Sequence, residues 1–309
     1  MIKEATFLSS DGKSNIHYYK VIPKSEPRAI LQIVHGMSEY FARYEGFAKY
    51  LNESGILVVG NDHIGHGKSS DPQDYGYFGP KDGWKFWIED VHALRSIMQK
   101  KYPDIPYIML GHSMGSFILR AYLTKYASGL WGAIITGTSG KNPLNGFGLV
   151  VVKALRRFYG GHYRSQLVHD LAFGSNNKKI LYPKNIYEWL SRDEKISTKY
   201  GEDPMCNFIF TLAGFSDLFN ILSFVSKNDW AQKVPKELPI MLASGLMDPV
   251  GKYGQGPSQV YEKLEKTGHK EVSLYLYEGM RHEILNEQGR AAVYGDMKDF
   301  IMSVAGLDG

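Results

Sequence analysis

With 309 residues, 43% hydrophobic and 22% charged, the chain is long enough for one large globular domain or a domain with a sizeable insertion, and disorder is excluded. One cysteine, Cys206, excludes an intramolecular disulfide framework and a four-cysteine zinc site, and it fits a reducing compartment. A net charge of +4 spread along the chain gives no case for a nucleic-acid partner; an ordinary solvated surface and weak attraction to anionic lipid are the readings it leaves.

The first residues, MIKEATFLSSDGKSN, contain no apolar core of signal-peptide length, and no transmembrane helix is expected further on, so a cytoplasmic protein is the expectation. Thr6 to Ser9 and Ile16 to Val21 flank an Asp-Gly turn and read as a hairpin. Short apolar runs follow at 30–34, 56–61, 107–110, 131–136, 240–244 and 272–277, as a parallel sheet covered on both faces requires. Helical patterns at 41–52, 84–101, 114–126, 258–266 and 287–304 separate most of them, the alternation of an α/β fold.

Between residues 141 and 238 the alternation stops and helical patterns dominate, so this stretch reads as an inserted cap on a core made of 1–140 and 239–309. Within it, Phe147, Val151, Leu155 and Phe158 share a helical face near Lys153, Arg156 and Arg157. A second segment, 205–225, puts Phe208, Leu212, Phe215, Phe219 and Leu222 on one stripe, with further apolar residues off it. Packing of one cap helix on another explains such a segment, and so does a wall for an acyl chain or a face resting on lipid.

The run YIMLGHSMG places Ser113 between Gly111 and Gly115 at a strand-to-helix junction. A sharp turn there lifts the hydroxyl clear of the sheet, and glycines leave room where side chains would collide. A serine hydroxyl needs a histidine base, and that base needs a carboxylate to fix its tautomer. Asp248 and His282 follow in that order, each just beyond a strand, where an open α/β sheet gathers its site. The N–H of Met114 at the helix start and that of Met37 after Gly36 are the candidate oxyanion donors. In GNDHIGHGKSS, Asp62, His63 and His66 resemble metal ligands only superficially; the glycines and spacing favour a tight buried loop braced by hydrogen bonds. No metal or cofactor is called for.

The segments H-G-M-S-E, D-H-I-G-H-G-K-S, G-H-S-M-G, S-G-L-M-D-P-V-G and H-E-I-L-N-E occur in the order seen in the α/β-hydrolase fold. They resemble most closely the monoacylglycerol lipase and lysophospholipase family, also labelled serine aminopeptidase-like hydrolases, and WLSRDEKISTKYGEDPMC looks like that family's lid. The resemblance implies a mostly parallel eight-stranded sheet flanked by helices, with an inserted helical cap. It implies Ser113 as nucleophile, His282 as base, Asp248 as orienting acid, and the Met37 and Met114 amides as oxyanion hole. Met37 stands where the family often has a small residue, which narrows the site. The expected activity is hydrolysis of esters of single-acyl lipids, with an amphiphilic small-molecule substrate and transient contact of the cap with a membrane surface. A short-chain carboxylesterase or thioesterase, an acyltransferase, a peptidase and a non-catalytic binding fold are the alternatives; serine at the nucleophile position speaks against epoxide or haloalkane hydrolases.

Overall fold

The computed structural model describes residues 1–141, 144–227 and 229–307. Eight strands form one sheet: β1 (Ile2–Leu8), β2 (Asn15–Val21), β3 (Ala29–Val34), β4 (Ile56–Asn61), β5 (Tyr107–His112), β6 (Gly132–Thr136), β7 (Ile240–Gly245) and β8 (Val272–Tyr277). Their spatial order is β1-β2-β4-β3-β5-β6-β7-β8; β1 and β2 pair antiparallel, β2 runs antiparallel to β4, and the remaining pairs are parallel. The five strands β3 to β7 are buried along their length, which is why they read as unbroken apolar runs. β1 is mostly exposed and starts four residues earlier than its apolar content suggests, because an edge strand tolerates Lys3 and Glu4.

Alternate residues of each strand enter opposite faces. Ile30, Leu57, Val59, Met109 and Ile135 pack beneath α2 (Gly83–Lys101) and α3 (Met114–Tyr126). Leu31, Ile33, Val58, Leu110 and Ile134 pack beneath α1 (Glu45–Asn52) and, near the chain's end, Arg290–Val304. The patterned stretch 41–52 divides into a 3-10 turn, Phe41–Tyr44, before α1.

Among the described residues, four α-helices lie between β6 and β7: α4 (Leu144–Tyr159), α5 (Gln166–Phe173), α6 (Glu194–Glu202) and α7 (Leu212–Ser226). Side-chain oxygens start three of them: Ser165 accepts from the Val168 N–H, Asp193 from Lys195, and Thr211 from Gly214. The last two helices of the chain, α8 (Gln255–Lys266) and α9 (Arg290–Val304), flank β8.

Of the stripe in 205–225, Leu212 and Phe215 are fully buried, and Phe219 and Leu222 only partly. Thr211 caps the helix, so Phe208 and Phe210 precede α7 and pack against His66, while Leu218, Ile221 and Val225 are buried more deeply than Phe219 and Leu222. α7 packs on α4 and also on α2 and α3, so its burial on two sides explains apolar residues around most of its circumference. On α4 it is Val152 that is buried, while Phe147 and Phe158 are exposed. Among the described residues no helix is long and apolar enough to cross a membrane.

Candidate active site

The chain crosses from β4 back over β3 to β5, so the sheet reverses its winding direction between β3 and β5. Val34 pairs with Gly111, which brings the loop after β3 beside the turn after β5. Ser113 occupies that turn with φ 53° and ψ −120°, a left-handed conformation that a non-glycine residue adopts only under constraint. Its N–H donates to Thr136 O at 3.0 Å, and its carbonyl accepts from the Ser116 N–H and hydroxyl, which holds the turn at both ends. A Cβ at Gly115 would run into the Val34 carbonyl, and one at Gly111 into the Gly115 carbonyl. Gly36 has a different need: its Cβ would sit 3.0 Å from Ser113 Cβ, while the positive φ in that loop, 52°, falls on Ser38.

The three residues distant in sequence meet here. Ser113 Oγ lies 2.9 Å from His282 Nε2, and His282 Nδ1 lies 3.0 Å from Asp248 Oδ2. Asp248 Oδ1 accepts from the Val250 N–H at 2.8 Å, so its second oxygen is left for the imidazole. The Met247 N–H donates to Met280 O at 2.8 Å and joins the two loops that carry Asp248 and His282. Burial pushes the His282 imidazole toward neutrality, but the charge and hydrogen bond of Asp248, helped by Glu283 and Glu39, win and raise its pKa above the usual 6.5. The neighbouring His112 has no such partner; burial and the charges of His282 and Arg43 hold it well below the histidine range, and its Nδ1 contacts Thr136 Oγ1. The N–H groups of Met37 and Met114 have no acceptor within the protein among the described residues, and the Met37 side chain packs on the core below.

Two carboxylate networks brace this centre. Glu39 accepts from the Gly36 N–H at 2.5 Å and the Tyr44 hydroxyl at 2.7 Å, and Arg43 bridges it to Glu283, the residue after His282, with two further bonds of 2.6 and 2.7 Å. Arg43 thus ties the loop after β3 to the loop after β8. Glu287, fully buried, accepts from Ser191 Oγ, the Arg192 N–H, Arg192 Nε and the Arg281 N–H. The His282 and Glu283 amides donate to Trp189 O and Leu190 O, and the Trp189 ring lies 5.0 Å from that of His282. Residues 189–192 are therefore fastened to the histidine loop. Glu39, Glu283 and Glu287 lie inside the segments H-G-M-S-E and H-E-I-L-N-E, but their partners are distant in sequence; the i,i+4 spacing of Glu39 and Arg43 is the one local sign of a pair.

The Asp62 loop takes the braced form its glycines suggest. Asp62 accepts from the Phe41 and Lys68 amides and the Tyr19 hydroxyl, and the His63 N–H donates to His35 Nε2. Burial drives His63 and His66 down to about 3, so both are neutral, and His66 stacks on Phe78.

A mostly parallel sheet that presents a strained serine, a histidine and an aspartate on the loops after β5, β8 and β7 defines an α/β-hydrolase. Residues 25–289 match the family described as serine aminopeptidase, S33, and the chain belongs to that family. A monoacylglycerol lipase of Mycolicibacterium smegmatis is 26% identical over 94% of both chains, and a monoglyceride lipase of Mus musculus is 28% identical over 87% of this chain and 80% of its own. The crystal structure of a highly thermostable carboxyl esterase from Bacillus coagulans in complex with glycerol superposes with a TM-score of 0.92 at 36% identity, over 98% of this chain and 99% of that one.

Proposed function

We propose that Ser113, His282 and Asp248 act as a catalytic triad in a lipid-ester hydrolase. His282 Nε2 takes the Ser113 proton as Oγ attacks the ester carbonyl, Asp248 holds the imidazole in the needed tautomer, and the Met37 and Met114 amides receive the oxyanion. His282 then protonates the departing alcohol, and water repeats the sequence on the acyl-enzyme. The observation that carries this reading is the 2.9 Å and 3.0 Å contacts running from Ser113 through His282 to Asp248.

The protein is a carboxylic ester hydrolase, and its substrates are esters of single-acyl lipids such as monoacylglycerols or lysophospholipids. Residues 141–238 serve as a cap over a core of 1–140 and 239–309. Exposed Phe147, Val150, Phe158, Leu167 and Leu171, together with Lys153, Arg156 and Arg157 on α4, support transient contact of that cap with an anionic lipid surface. Cytoplasmic residence at a membrane surface suits the lone, buried Cys206, whose thiol burial pushes up and out of the reactive range.

A general carboxylesterase is the second reading, favoured by the likeness to the Bacillus coagulans enzyme. Hydrolysis of long-chain monoacylglycerol, lysophosphatidylcholine and short p-nitrophenyl esters by the wild type beside Ser113→Ala separates the two. Serine-dependent preference for the long-chain lipids supports the lipase; preference for the short esters supports the esterase. Turnover that survives in folded Ser113→Ala overturns the triad.

A further inference from the structure

A cavity of about 260 Å³ lies outside the Ser113–His282–Asp248 chain, between residues 176–181 and the loops that carry Asp248 and His282. Its polar lining consists of Asn176, Lys179, Tyr253 and Arg281, and no carboxylate lines it; Ile180, Leu181 and Met247 supply the apolar part. Lys179 is held over the Tyr253 ring, its Nζ 3.4 Å from the centroid, with no carboxylate in salt-bridge contact among the described residues. Arg281 turns one terminal nitrogen to Glu188 O and Ser191 O and, at 3.8 Å, to the Glu188 carboxylate in a loose ion pair, while its other terminal nitrogen has no hydrogen-bond acceptor among the described residues. Backbone strain lies beside it as well: Lys252 and the lining residue Tyr253 have φ of 49° and 58°.

We propose that this cavity binds a dianionic phosphate group, borne by the headgroup of a lipid as its monoester or present as free phosphate. Two cations on separate segments provide donors for several oxygens of one anion, which a dianionic phosphate satisfies better than a carboxylate does. The apolar residues beside them suit the glycerol carbons next to such a group. The site abuts both active-site loops, since Met247 precedes Asp248, Arg281 precedes His282, and the Tyr253 N–H donates to Asp248 O at 2.8 Å. The lipid-headgroup form rests on the ester-hydrolase reading; the free-phosphate form does not.

The test uses Lys179→Glu, an exposed position where charge reversal leaves the fold intact, with Lys178→Glu as a neighbouring change outside the cavity. Calorimetric titration at constant ionic strength with inorganic phosphate and with glycerol 3-phosphate reads the free anion. The ratio of kcat/KM for 1-acylglycerol 3-phosphate to that for monoacylglycerol of the same chain reads the headgroup. A tenfold or greater loss of phosphate affinity in Lys179→Glu, with Lys178→Glu within twofold of wild type, supports the free-phosphate form. A tenfold or greater fall in the kcat/KM ratio under the same control supports the headgroup form. If both quantities change by less than twofold in Lys179→Glu, or by the same factor in Lys178→Glu, the proposal is wrong. Should the wild type hydrolyse no ester, the lipid-hydrolase reading fails by itself, and the titration still decides the cavity.

Discussion

Replacing Arg43 by Met leaves two carboxylates, Glu39 and Glu283, buried without their shared cation. Both side chains are 4% exposed and Arg43 is 12% exposed, so water cannot take over the role of the guanidinium. Removing one partner of a buried ion network of this kind costs ~3–5 kcal/mol at neutral pH and above. Burial raises the pKa of Glu39 even with Arg43 present, and without the cation it rises further. A carboxyl group whose folded pKa is raised binds its proton more tightly in the folded state, so its stabilising effect is present at low pH and is lost as pH rises through the folded value. The destabilisation of Arg43→Met is therefore smaller at pH 5 than at pH 8, by ~1.4 kcal/mol for each unit that the proton affinity has moved between those limits. Urea unfolding of wild type and variant at the two pH values measures both quantities. A loss below ~1 kcal/mol, or an equal loss at both pH values, would refute the argument that this arginine neutralises a buried acidic pair.

The clamp formed by Glu287 leads to a second expectation: Glu287→Ala frees Ser191 and Arg192 from the histidine loop, costs about 2 kcal/mol or more by thermal unfolding, and lowers kcat on a short soluble ester more than it alters KM. At the nucleophile turn, Gly115→Ala forces a methyl group against the Val34 carbonyl, and a loss of ~3 kcal/mol or more, read as a fall in folded yield and melting temperature, is expected. Because His282 must be neutral to accept the Ser113 proton, kcat/KM falls as pH drops through its folded pKa; the acidic limb should have its midpoint above 6.5, and Asp248→Asn should move it down while lowering the rate by ~10⁴. A wild-type midpoint below 6.5 contradicts the electrostatics of the site.

The parallel sheet was legible because β3 to β7 are buried on both faces, so apolar residues run without interruption and turns mark their ends. Ser113, Asp248 and His282 could be placed because each follows a strand, and strand ends on one edge of a parallel sheet must lie close together. Glycines in G-x-S-x-G are needed for steric reasons that do not depend on distant packing, so the tight strand-to-helix turn was legible too. Long-range pairing was not legible. Nothing in the local pattern says that Arg43 reaches Glu283, or that Ser191 and Arg192 meet Glu287, because the first contact joins the loops after β3 and β8 and the second joins the segment between β6 and β7 to the loop after β8, residues far apart in the chain. The apolar residues around much of α7 were legible because the helix is buried on more than one side; what the pattern did not show is that Phe208 and Phe210 belong to the chain ahead of Thr211. α4 shows the opposite case, since its apolar residues at 147 and 158 look like core in sequence and face outward in the fold.

The central claim is that Ser113 forms a covalent acyl intermediate under the action of His282. Mixing the enzyme with a p-nitrophenyl ester, quenching in acid within the first turnovers and mapping the digest by mass spectrometry tests it directly. One acyl group is expected on the peptide containing Ser113 and none on that peptide in Ser113→Ala, with its accumulation abolished in His282→Ala. An acyl group on another residue, or ester turnover with Ser113 unmodified and dispensable, would contradict it.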